Sequence, residues 1–426
     1  MKIYQLDQLK NLVQSCHVNF LFGSGLSVPF LSTLQSIEKL LTAAQGIEDK
    51  EIRNIVEASL FAEYFSSVMS PCTLDGCDDK KKRLHYEVVE SYKDFLTIWN
   101  AIIANRDSSL LDKTINIFTT NIDNLVETAA EEVKVEFNDG FQGHLKPIFR
   151  EDSFNNVLTK ISPLYQNLAQ IPIFNYMKIH GSINWSEVNG ESGLITYDSQ
   201  LVLIREINNA LKAIPSGQLL YNIKKETTID DLVKEAEKLT ETEGFKLSDS
   251  VTEFMDSYKK LIMIHPRKAK FRESVLDSHF YELMRRYSNS LEQVTSILFV
   301  SGFSFADEHL AKITMRAAKT NPTLQIIVFA FNEDAKQDII RNLSLAGPLV
   351  NQNIQIVSAK DYYEGQNENE TGILQKYGFR KVITKKDPSD ESKEVQVVEY
   401  ENLSLAVLNK YVFNRLFEVI SNRWRN

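Results

Sequence analysis

Phe22-Gly23-Ser24-Gly25-Leu26-Ser27-Val28-Pro29 follows directly on the apolar run Val18 to Phe22. Two other segments repeat the arrangement. Phe118-Thr119-Thr120-Asn121-Ile122-Asp123 closes a run that starts at Ile115, and Lys178-Ile179-His180-Gly181-Ser182 closes one that starts at Ile173. Short, near-continuous apolar runs of this kind are buried strands of a parallel sheet. Ligands bind at the carboxyl ends of the strands in such sheets. Three strand ends carrying glycines, an Asn/Asp pair and a histidine therefore read as one site assembled from distant parts of the chain.

Outward from these segments, strand and helix patterns alternate. A helix from Leu6 to Cys16 precedes the first strand, and helical patterns fill about 33–68 and 84–107, with a polar loop over Ser70–Gly76 between them. Asn121 opens a helix through Glu131, and Asn138 to Gly143 reads as a glycine-containing loop. A charged, mainly helical stretch at about 186–260 interrupts the alternation, which resumes with strands at Leu261–Ile264, Ser296–Val300, Leu324–Phe329 and Ile354–Val357. Helices at Glu273–Tyr287, Asp307–Ala318 and Asp334–Asn342 separate them. The expected fold class is α/β: a doubly wound, Rossmann-like parallel sheet with a helical insertion and a C-terminal extension. The domain would span 1–365, interrupted by helical segments at about 33–110 and 186–260. The extension, 366–426, has a polar start, a Lys/Asp/Ser/Glu-rich loop near 384–394 and an amphipathic helix from about Leu403 to Ile420. That helix docks on its own domain or forms a subunit interface; its pattern fits both.

Composition narrows the function classes. With 43% hydrophobic and 25% charged residues, the 426-residue chain has the make-up of an ordinary soluble globular protein. A net charge of −9 argues against direct, indiscriminate nucleic-acid binding or attachment to an anionic membrane. Three cysteines (Cys16, Cys72, Cys77) cannot all pair, no secretory signal is evident, and no apolar run approaches the roughly 20 residues that span a bilayer. A cytoplasmic, reducing setting is the expectation.

Gly23 and Gly25, between a strand and a helix-like run, suit close approach of a phosphate or a plain tight turn. The third glycine of the dehydrogenase fingerprint is missing, as is an acidic strand end about 20 residues on, which disfavours hydride transfer. Asn121 and Asp123 supply an amide and a carboxylate for ribose hydroxyls or a positioned water, or a helix cap. His180 at a strand end is either a structural histidine or a base working near neutral pH. His265-Pro266-Arg267, with Lys270 and Arg272, reads as a nucleotide contact or a surface loop. Asp307 and His309 open a helix, where an acid favours the dipole. Lys80-Lys81-Lys82-Arg83 reads as a solvated loop.

Taken together, the motifs resemble the sirtuin (silent information regulator) family. That family's Gly-Ala-Gly-x-Ser loop, Gln-Asn-Ile-Asp segment, His-Gly pair, Gly-x-Ser strand end and later Asn stand here in the same order. They are Gly23-Ser24-Gly25-Leu26-Ser27, Thr120-Asn121-Ile122-Asp123, His180-Gly181, Gly302-Phe303-Ser304 and Phe331-Asn332. The resemblance covers about 15–185 and 260–365. It implies that Gly23, Ser24, Gly25 and Ser27 hold the pyrophosphate of NAD, and that Thr120, Asn121 and Asp123 line the nicotinamide-ribose pocket. His180 would be the base, while Gly302, Ser304 and Asn332 would face the adenosine half. Two departures matter. Val28-Pro29-Phe30-Leu31-Ser32-Thr33 replaces the Gly-Ile-Pro-Asp-Phe-Arg run of deacylating sirtuins, and three cysteines cannot supply their four-cysteine zinc site.

What remains is similar to the prokaryotic sirtuin-like branch that acts in anti-phage defence. The implied activity is an NAD glycohydrolase that depletes NAD on infection, with Asn121, His180 and Asp123 catalytic, NAD as substrate and no metal. A non-catalytic NAD or ADP-ribose binding module is the alternative, followed by an NAD-dependent deacylase. The resemblance further implies a homo-oligomer, or co-assembly with a DNA-translocating ATPase.

Overall fold

A computed structural model describes residues 5–33, 37–106, 111–164, 167–188, 193–221, 223, 226–265, 278–348, 353–387 and 390–421. Its centre is a seven-stranded, wholly parallel sheet: β1 (His17–Phe22), β2 (Thr114–Thr119), β3 (Glu136–Asn138), β4 (Ile173–Lys178), β5 (Ser296–Ser301), β6 (Gln325–Phe329) and β7 (Ile354–Val357). The order across the sheet is β7-β6-β5-β1-β2-β4-β3. The fold is the doubly wound α/β class expected from the strand–helix alternation. Strand order reverses around β1, so the crevice at a topological switch point opens beside it.

Burial on both faces explains the continuous apolar strands: all six residues of β4 and of β5 are buried. Phe20, Phe22, Ile115, Ile117, Phe299 and Phe329 point to one core, shared with the helices at 50–64, 79–104 and the C-terminus. Leu21, Phe118, Met177, Leu298 and Val328 point to the other, against the helices Ser278–Glu292, Glu308–Thr320 and Glu333–Ala346.

Register in a two-sided apolar sheet is poorly specified by hydrophobic pattern alone. Here four asparagines face one another across adjacent strands. Asn116 donates to Asn19 (3.0 Å), Asn175 to Asn116 (3.1 Å) and Asn138 to Asn175 (3.0 Å). They occupy paired positions of β1, β2, β4 and β3. Slipping any one strand by a residue would strand buried amides without partners. The ladder thus holds the carboxyl ends of β1, β2 and β4 at one level, where Phe22, Thr119 and Lys178 are neighbours.

Several local expectations are corrected. The glycine loop runs into one 3-10 turn, Ser24–Ser27, rather than an α-helix, because Pro29 lacks an amide hydrogen to continue it. The helix assigned to Asn121 begins at Leu125. Lys80 to Arg83 lie in the first turn of a 26-residue helix, Asp79–Ala104, capped by Asp78. Leu261–Ile264 is not a sheet strand; Met263 makes one bridge to Gly181. The stretch after 185 starts with strands Trp185–Glu187 and Ile195–Tyr197, in a small antiparallel sheet with Phe141–Gln142 and Ile148–Phe149, before three helices follow. In the extension, Asn367 caps a helix, Glu368–Lys376, and the charged stretch expected as a loop forms a hairpin of Arg380–Asp387 with Asp390–Tyr400.

The terminal helix docks on its own domain. It comprises Leu405–Leu408, a π-turn Asn409–Phe413 and Asn414–Ser421. Phe413 enters an aromatic cluster, 5.3 Å from the Trp99 ring, and Asn409 donates to the Ser91 carbonyl at 2.7 Å. Among the described residues, no helix is long and apolar enough to cross a membrane.

Candidate active site

The loops after β1 and β5 interlock through glycine. Gly23 and Gly25 donate backbone bonds to Ser301 and Gly302 at 3.1 and 2.9 Å. A Cβ on Gly23 would lie 2.5 Å from the Gly302 carbonyl oxygen, and one on Gly302 (φ +67°) would lie 2.6 Å from the Leu26 nitrogen. These glycines are required by loop-to-loop packing as well as by any ligand. Ser24 and Gly25 remain exposed on the rim, and Ser27 turns inward.

Ser27 meets the loop after β2. Its hydroxyl donates to the Asp123 carboxylate at 2.7 Å and accepts from the Asn121 amide at 3.3 Å. The second Asp123 oxygen accepts from the Leu125 amide at 3.2 Å. Thr119 anchors the Asn121 backbone nitrogen (3.0 Å), and the Thr120 nitrogen donates to the Phe22 carbonyl (3.2 Å). Asn121 is 4% exposed, yet its side-chain oxygen is buried with no hydrogen-bond partner among the described residues. Buried polar atoms are rarely left so.

Beneath this turn lie residues that the sequence reading passed over. The Lys178 ammonium donates to the Asp123 carbonyl at 2.5 Å and pairs with Glu127 at 2.6 Å. Burial pushes the Glu127 carboxyl up, and the Lys178 charge opposes that. Burial and the nearby Asp123 charge hold the Cys72 thiol and the Tyr92 phenol well above their ordinary values, so both stay neutral. A lysine closing an otherwise apolar buried strand was the available signal.

His180 follows β4. Its Nε2 lies 3.2 Å from the Asp307 carboxylate, with both side chains 12% exposed. Gly181, at φ +77°, sits under the Ile262 carbonyl, where a Cβ would approach to 2.3 Å. The Ile264 nitrogen donates to the His180 carbonyl (2.9 Å). The next turn reaches the Asn121 loop: the Ile122 carbonyl accepts from the Ile183 nitrogen (3.0 Å) and the Ser182 hydroxyl (3.2 Å). Asn184 accepts from Ser182, and its buried side chain also lies against the Tyr197 phenol.

On the other side of β1, Ser304 is exposed and its carbonyl accepts from Asn342 at 2.8 Å. Asn332 caps the helix Glu333–Ala346, its side-chain oxygen accepting from the Ala335 nitrogen at 2.8 Å. Phe305 is buried at φ +58°, an uncommon backbone state for a bulky residue. The fold therefore collects the residues singled out in the sequence along one sheet edge. Asn121, Asp123, Ser27 and His180 sit around the ends of β1, β2 and β4, with Gly302, Ser304 and Asn332 beyond β5 and β6. Asp307 joins His180 rather than acting only as a helix cap. His265 packs on the Tyr258 ring at 5.5 Å, while Arg267, Lys270 and Arg272 lie outside the described residues. No group of three or more His, Cys, Asp or Glu side chains is placed to hold a metal among the described residues.

Residues 115–347 match the family model described as SIR2-like domain, which is more than half of the chain. The protein belongs to the SIR2-like family. The matched stretch contains Asn121, Asp123, His180, Ser304 and Asn332; β1 and the glycine loop precede it and pack into the middle of its sheet. No curated protein matches the chain. Family membership implies an NAD-related function and is compatible with an NAD-using enzyme.

Proposed function

We propose that the protein hydrolyses the nicotinamide–ribose bond of NAD. The observation that carries this reading is the buried side-chain oxygen of Asn121, unpartnered among the described residues, at the carboxyl edge of the sheet in the turn that also presents Asp123. An orphaned acceptor held in place by Thr119 and Ser27 suits a ribose hydroxyl or a water that arrives with the substrate.

The pyridinium of NAD is already a cationic leaving group, so its departure needs no general acid. In the proposed step, a water oxygen bonds to the anomeric carbon as the carbon–nitrogen bond breaks. Nicotinamide leaves with the bonding pair, ADP-ribose forms, and the surplus water proton passes to His180 and then to solvent. Asn121 orients the ribose and the water. Asp123 supplies negative charge near the ribose as positive charge develops there. Gly23, Ser24, Gly25, Ser27 and Thr120 would hold the pyrophosphate and ribose, and Gly302, Ser304 and Asn332 the adenosine end.

The test is turnover of NAD by the purified full chain, with nicotinamide and ADP-ribose measured for wild type, Asn121→Ala and His180→Ala. Turnover that both substitutions abolish supports the reading. An Asn121→Ala protein as active as wild type overturns it. The defence setting, a homo-oligomer and an ATPase partner are proposals resting on the resemblance of the motifs. Survival of phage infection by cells expressing wild type, but not His180→Ala, would support that setting.

A further inference from the structure

We infer that Lys178 is a positioning residue that clamps the Asn121–Asp123 turn to the strand leading into His180; this rests on the reading of those three residues as the reacting groups. Lys178 closes β4, and His180 follows two positions later. Its register partner on the neighbouring strand is Thr119, the last residue of β2. The turn that presents Asn121 and Asp123 therefore starts beside Lys178.

Neutral bonds anchor the first part of the turn. The Thr120 nitrogen donates to the Phe22 carbonyl, the Asn121 nitrogen to the Thr119 hydroxyl, and the Ile183 nitrogen to the Ile122 carbonyl. At its end Lys178 supplies a charged donor. The ammonium donates to the Asp123 carbonyl at 2.5 Å and to the Glu127 carboxylate at 2.6 Å. Glu127 lies four residues beyond Asp123, in the helix Leu125–Glu132, so one ammonium grips the segment on both sides of the helix start. Charge-assisted bonds of this kind are the strong ones, and with side chains 3% and 7% exposed, water is kept from replacing either partner. Glu127 also neutralises the ammonium, so the clamp adds no net charge beneath a ribose on which positive charge develops. The groups that orient the ribose and the group that takes the proton are thereby held to one strand end.

Lys178→Met combined with Glu127→Leu separates position from stability. Two apolar side chains replace the buried pair, a change that leaves folded proteins about as stable as before, but methionine cannot donate to the Asp123 carbonyl. The experiment measures NAD turnover and backbone hydrogen exchange of the full chain, well below its melting temperature, for wild type and this double variant. Amides of the turn, residues 119–125, should exchange about tenfold faster in the variant, while those of β5 exchange as in wild type. Loss of about 1 Å of placement can cost about 100-fold in rate, so kcat should fall about 100-fold with KM for NAD little changed. Gly76→Ala, at an exposed glycine whose Cβ would meet nothing within 4 Å, is the control for destabilisation alone and should change neither readout. A double variant with wild-type kcat, or one whose turn exchanges as in wild type, overturns the inference. Absence of NAD turnover in wild type overturns the proposed reaction instead, and the exchange of the turn still decides whether Lys178 holds it.

Discussion

The Lys178 ammonium stands 2.6 Å from the Glu127 carboxylate, with the two side chains 3% and 7% exposed, and it also holds the Asp123 carbonyl. A buried pair of this kind is costly to break because the surviving charge has no water to turn to. It is well placed to hold the Asn121–Asp123 turn against the end of β4.

Lys178→Met should therefore cost about 3–5 kcal/mol of unfolding free energy in urea. Adding Glu127→Leu should recover most of that loss, because two apolar side chains replace the stranded carboxylate. If Lys178→Met alone is as stable as wild type, the pair is not what holds the turn.

Gly302 and Gly76 have nearly the same backbone angle, φ +67° and +71°, but a Cβ at Gly76 would meet nothing within 4 Å. Gly76→Ala should cost only the left-handed backbone penalty, about 1–2 kcal/mol. Gly302→Ala adds a collision with the Leu26 nitrogen and should cost clearly more, as should Gly23→Ala. Equal midpoints for Gly76→Ala and Gly302→Ala in chemical denaturation would count against the interlock of the β1 and β5 loops.

Asn121→Ala removes a side chain whose oxygen has no partner among the described residues and whose bond to Ser27 is long, at 3.3 Å. Its stability should stay within about 1 kcal/mol of wild type. Ser27→Ala takes a bond from the Asp123 carboxylate and should cost about 1.5–3 kcal/mol. A side chain that contributes little to stability but whose loss abolishes turnover is the signature sought for a functional group. Thermal unfolding of both variants, set beside their NAD turnover, provides it.

His17 and His85 are both held below 6.5, chiefly by burial. The unfolded chain therefore takes up protons from about pH 6.5 downward before the native state does, so stability is complete above that pH and falls as pH drops through the window. While it titrates, each histidine contributes up to about 1.4 kcal/mol per pH unit. His85→Gln should flatten the decline in melting temperature between neutral pH and about pH 5. An unchanged slope would mean that His85 is not a source of it.

The fold class and the strand ends were legible in the residues themselves. Apolar runs of buried strands, helical spacing between them, and the glycines, Asn121 and His180 at the run ends are all local patterns. The hairpin of the extension was not legible, since charged residues dominate Arg380–Asp387 and Asp390–Tyr400 and the few apolar ones (Val382, Ile383, Val395, Val397, Val398) make too short a pattern to mark a buried strand. The single 3-10 turn after Gly23 was missed because Pro29 acts several residues beyond the glycines. By itself the sequence determined which chemical groups stand at the carboxyl edge. Only the tertiary structure decided which of them meet. Asn19, Asn116, Asn175 and Asn138 are unremarkable polar residues until strand order sets them side by side. Lys178 and Glu127, 51 positions apart, become an ion pair only under the same loop. Asp307 reaches His180, although β1 and β2 lie between β5 and β4, only because the segment after β5 crosses above them. Strand order is a property of the whole chain's packing, and no local spacing encodes it.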